Sequence, residues 1–64
     1  MLNQWYELFY DKGEETETIF HSEECSQLRI LKDNIVRVMG VDKNKLHIDL
    51  WENPENPRIV SSIE

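Results

Sequence analysis

Apolar and polar residues alternate strictly along Lys45-Leu46-His47-Ile48-Asp49-Leu50-Trp51-Glu52, which puts Leu46, Ile48 and Leu50 on one face and His47, Asp49 and Trp51 on the other. That is the pattern of a half-buried strand. A second alternating run, from Asn3 to Tyr10, is rich in aromatic residues that favour a pleated surface and predicts the first strand. Asp11-Lys12-Gly13-Glu14-Glu15 supplies a glycine-containing hairpin turn. Glu17 to His21 then reads as a second strand, with Thr18 and Phe20 on one side and Ile19 on the other. Its short length and acidic entrance suit a sheet edge, where charge discourages pairing with other chains.

From Glu23 to Met39 the apolar spacing changes to that of a helix. Ser22 is placed to cap its N-terminus, Glu23 and Glu24 to complement the positive end of its dipole, and Gly40 to take the left-handed conformation that closes it. Leu28, Leu31, Ile35, Val38 and Met39 form the expected core stripe, flanked by Cys25 and Val36. Ile30 falls on the opposite side and should be exposed. Lys32 falls within the stripe, so its stem should be buried while its ammonium reaches water. After a linker at Val41 to Asn44 comes the third strand, and Asn53-Pro54-Glu55-Asn56-Pro57 forces a loop through its two Asn-Pro steps. Arg58 to Ile63 makes a fourth strand.

The order β-β-α-β-β predicts an α+β domain, one helix packed on a four-stranded mixed sheet. A helix of about 26 Å matches a seven-residue strand of about 23 Å. The β-grasp-like order 2-1-4-3, with strands one and four parallel at the centre, is the preferred topology, other orders being possible.

The outward face follows from one argument about charge. Glu7 is the charged residue inside the first strand, and a carboxylate does not face a helix-covered core, so its period-two neighbours Trp5 and Phe9 should point outward with it. Trp5, Phe9 and Trp51 would then surround Glu7, His47 and Asp49, an apolar patch with charges at its middle or edge, as in an interaction surface. The competing reading is structural: the sheet curves and the Pro loop folds over the rings, or the register shifts by one and Trp5 lies in the core.

Sixty-four residues make a single domain that buries only about 60% of its unfolded surface, so stability is thin. One cysteine, Cys25, rules out an internal disulfide and suits a reducing, cytoplasmic setting. No signal-peptide pattern and no apolar run of membrane-spanning length is present. Small size alone suggests a bacterial, phage or plasmid origin. The net charge is −6, concentrated in residues 1–24 with seven acids against one base. Such a chain is a poor direct binder of nucleic acid or of anionic membranes.

Other chemistry finds little footing. His21 and Cys25 are four apart but lack the further ligands zinc requires. Cys25 has no paired base to make it a nucleophile. Asp42-Lys43-Asn44 lacks the glycine and terminal glutamate of a calcium loop. The two glycines are too far apart for a phosphate loop. No cofactor, metal or small-molecule substrate is expected.

The expectation is therefore a small, acidic, cytoplasmic, non-enzymatic protein-binding module. It would self-associate as a homodimer or dock a protein partner through Trp5, Glu7, Phe9, His47, Asp49 and Trp51. The alternative is an acidic nucleic-acid mimic whose Glu14, Glu15, Glu17, Glu23 and Glu24 occupy the basic groove of another protein.

Overall fold

The computed structural model describes residues 3–64. Four strands, β1 (Gln4–Asp11), β2 (Thr16–Ser22), β3 (Leu46–Glu52) and β4 (Arg58–Ser62), form one sheet with a single helix, α1 (Cys25–Met39), on one side, an α+β arrangement. A short 3₁₀ turn at Lys43–Lys45 enters β3 and is held by the Asp42 Oδ1 atom, which accepts from the Asn44 N–H at 2.9 Å.

The sheet order is β2-β1-β3-β4 and every neighbouring pair is antiparallel. This corrects the expected mixed sheet of order 2-1-4-3. The central place beside β1 goes to β3 because its inner residues Leu46 and Ile48 bury completely. β4 has only five residues and presents Ser61 opposite Leu50, so it cannot seal a core and lies at the edge. Strands β1 and β4, expected as parallel neighbours, run in the same direction but are separated by β3.

Leu8, Leu28, Leu46 and Ile48 form the fully buried centre, with Tyr6, Tyr10, Cys25, Leu31, Ile35, Val36, Val41 and Ile63 packed round it. The helix lies chiefly over β1 and β2. Its buried stripe leans from Leu28 towards Val36, about 80° one way round the axis, and away from Val38, about 80° the other. Val38, expected in the core, is therefore 80% exposed, and Met39, on the core side but the last residue of the helix, is 70% exposed. Ile30 is exposed as its position required.

Helix entry also differs from expectation. α1 starts at Cys25, not Glu23, and Ser22 caps the preceding turn: its Oγ accepts from the Glu24 N–H and donates to Gln27 Oε1, both at 3.1 Å. Glu23 and Glu24 consequently precede the first turn. The exit is as expected, for Gly40 adopts φ 68° and donates its N–H to the Val36 carbonyl at 3.1 Å.

One bulge in each edge strand sets the remaining faces. In β2 the extra residue is Ile19, between Thr18 opposite Phe9 and Phe20 opposite Leu8. In β4 it is Val60, between Ile59 opposite Trp51 and Ser61 opposite Leu50. Thr18 and Phe20, expected to share a row, are separated by the first bulge. Beyond β4 the chain continues along β3, with the Ile63 N–H donating to the Ile48 carbonyl at 2.8 Å. The Glu64 carboxylate then reaches under the sheet to Arg29 at 2.7 Å and Lys32 at 3.0 Å. Lys32 thus keeps its stem in the stripe and ends on an acid.

Candidate functional site

The β1–β3 register pairs Trp5 with Trp51, Glu7 with Asp49 and Phe9 with His47. Between these pairs lie Tyr6 with Leu50, Leu8 with Ile48 and Tyr10 with Leu46, which face the helix. All six residues assigned to the candidate face therefore share the side away from the core. The indoles of Trp5 and Trp51 are not beneath Leu28 and Ile35.

The face has three rows. Trp5, Trp51 and Ile59 form the first, His21, Glu7, Asp49 and Ser62 the second, and Thr18, Phe9 and His47 the third. In the first, the two indoles stack with centroids 6.4 Å apart and planes 14° from parallel, within the range of favourable aromatic pairs. In the third, the Phe9 and His47 rings are tilted, 5.4 Å apart. The His47 Nδ1 atom lies 3.2 Å from the Glu64 carbonyl oxygen, which accepts a hydrogen bond from it when Nδ1 carries the proton.

The middle row holds the charge. Glu7 is fixed by two donors, Trp5 Nε1 to its Oε2 at 2.8 Å and Thr18 Oγ1 to its Oε1 at 3.4 Å. Asp49, directly opposite, is only 8% exposed. Burial pushes its carboxyl above the ordinary value and the Glu7 charge adds to this, while a hydrogen bond with Ser62 and the charge of His47 pull it down. Among the described residues the ion pairs engage Glu17, Asp33, Glu52 and Glu64, and neither Glu7 nor Asp49 has a lysine or arginine partner. A hollow of about 260 Å³ opens over this pair, with Phe9, Trp51 and Ile59 among its walls. The Trp51 Nε1–H is buried without an acceptor among the described residues, which costs about 1–3 kcal/mol for a polar group of this kind.

His21, Ile59 and Ser62 join the face although sequence reasoning did not assign them to it. Counting by twos from Thr18 turns His21 inward; the Ile19 bulge turns it outward beside Glu7. The Val60 bulge likewise brings Ile59 and Ser62 onto one side. Alternation carries no mark of an inserted residue, so nothing in the sequence flagged them.

The acidic set is spread out. Glu14 and Glu15 lie in the β1–β2 turn, Glu17 pairs with Lys12 at 3.6 Å, and Glu23 and Glu24 lie beyond the far end of β2. About 20 Å of strand separates the two groups. His21 and Cys25 are on opposite sides of the sheet, the thiol packed against the core. Among the described residues no helix is long and apolar enough to cross a membrane.

Known family models, curated proteins and solved structures offer no match to this chain.

Proposed function

We propose that this chain is a non-enzymatic, acidic protein-interaction module of the cytoplasm that docks a partner protein on the outward face of its sheet. The observation that carries the reading is the row arrangement: stacked indoles on one side and the Phe9–His47 pair on the other flank two opposed carboxylates, on the face the helix leaves open. Large aromatic side chains supply most contact energy in interfaces, and a polar centre supplies register. A second copy is a poorer occupant, because two-fold pairing of this face would set one Glu7–Asp49 pair against another. The mimic reading draws less support, since its five glutamates are divided between the two ends of β2.

Selection from a random peptide library, with the wild-type chain as bait, tests the proposal. Peptides should lose binding to a Trp5→Ala/Phe9→Ala double variant whose circular dichroism stays native. Peptides that bind both chains equally would overturn it. Light scattering should give a monomer; a dimer that Trp5→Arg converts to a folded monomer would replace the foreign partner by a second copy.

A further inference from the structure

We infer that the hollow over Glu7 and Asp49 is a receptor for an arginine side chain of the partner protein; this rests on the docking reading above. Charge complementarity carries it. The three outward rows contain two carboxylates and no lysine or arginine. Like charges directly opposite on neighbouring strands destabilise a sheet, and here one of them, Asp49, is also more than nine-tenths buried. Among the described residues no lysine or arginine pairs with either acid: Lys12, Arg29, Lys32, Arg37 and Arg58 are engaged by Glu17, Asp33, Glu52 and Glu64. A guanidinium entering from outside would relieve it.

The walls select the type of cation. Glu7 is held in place by the Trp5 indole at 2.8 Å and by Thr18, so its orientation is set before a ligand arrives. A planar fork of donors matches carboxylates better than the single ammonium of lysine does, and its faces stack on aromatic rings. Phe9 and Trp51 line the hollow and offer those rings. Asp49 forms the floor and Ile59 closes the side towards β4.

Titration of the isotope-labelled full chain with acetyl-Gly-Arg-Gly-amide, followed by nuclear magnetic resonance at fixed ionic strength, tests the inference. The expected result is a saturable shift of the Trp5 and Trp51 indole N–H signals. Binding should weaken about tenfold in Glu7→Gln and in Asp49→Asn, in line with loss of a charge-assisted bond, while both variants keep native core resonances. The lysine and norleucine analogues should bind more weakly. Equal shifts with norleucine would overturn the arginine receptor and leave the docking face standing. Shifts that persist in Glu7→Gln and spread to Glu14 and Glu15 would also overturn it, as diffuse attraction. No shift on the outward rows with any of these peptides would count against both readings.

Discussion

Glu7 and Asp49 stand directly opposite each other at the middle of the outward face, two acids on adjacent strands with no lysine or arginine among the described residues paired to either. Such a pair lowers stability by about 0.2–1 kcal/mol. The sheet tolerates it because Leu8 and Ile48, the next residues along each strand, are fully buried on the other side.

Asp49→Asn should therefore stabilise the domain at neutral pH by up to about 1 kcal/mol. The folded-state value of Asp49 is raised by burial, so the stability linked to its protonation is present in acid and is lost as pH rises through that value. The gain from the amide should vanish below about pH 3, a unit under the unfolded carboxyl value of about 3.9, where the wild-type group is neutral in both states. Urea unfolding at several pH values measures it, and a loss of stability at pH 7 would refute the argument.

Glu64 behaves in the opposite sense. Lys32, then Arg29, hold its carboxyl below the ordinary value, so its contribution is present above the unfolded value and is lost as pH falls through the folded one. Glu64→Gln should cost about 0.5–1 kcal/mol at pH 7, less in high salt and nothing in strong acid. Unfolding curves at two salt concentrations would show this. A cost independent of salt would assign the effect to packing.

Core and overhang separate cleanly along the helix. Leu28→Ala removes a fully buried side chain and should cost about 2–5 kcal/mol, enough to unfold much of a domain this small. Val38→Ala, at an exposed site in the last turn, should change stability by no more than about 0.5 kcal/mol. Thermal melts followed by circular dichroism would compare them. Similar losses at both sites would restore Val38 to the core.

Gly40→Ala isolates a backbone effect. A Cβ there meets nothing within 4 Å, but the residue sits at φ 68°. The left-handed conformation should cost about 1–2 kcal/mol, lowering the melting temperature by about 4–8 °C per kcal/mol. An unchanged melting temperature would mean that the chain closes the helix another way.

The inner and outer faces of β1 and β3 were legible because a strand's side chains alternate with period two and Glu7 marks which side meets water. The helix and its glycine stop were legible for the same kind of local reason. Ser22 shows the limit of that reasoning: its hydroxyl had two backbone turns within reach and capped the earlier one.

Local pattern thus determined four strands, one helix and the six residues of the candidate face. Tertiary structure decided that β3 rather than β4 lies beside β1, that the helix overhangs at Val38 and Met39, and that His21, Ile59 and Ser62 complete the rows. Each of these depends on competition between distant segments for one buried surface. Leu46 and Ile48 win that competition over Ser61, and the bulges at Ile19 and Val60 absorb the mismatch at the edges.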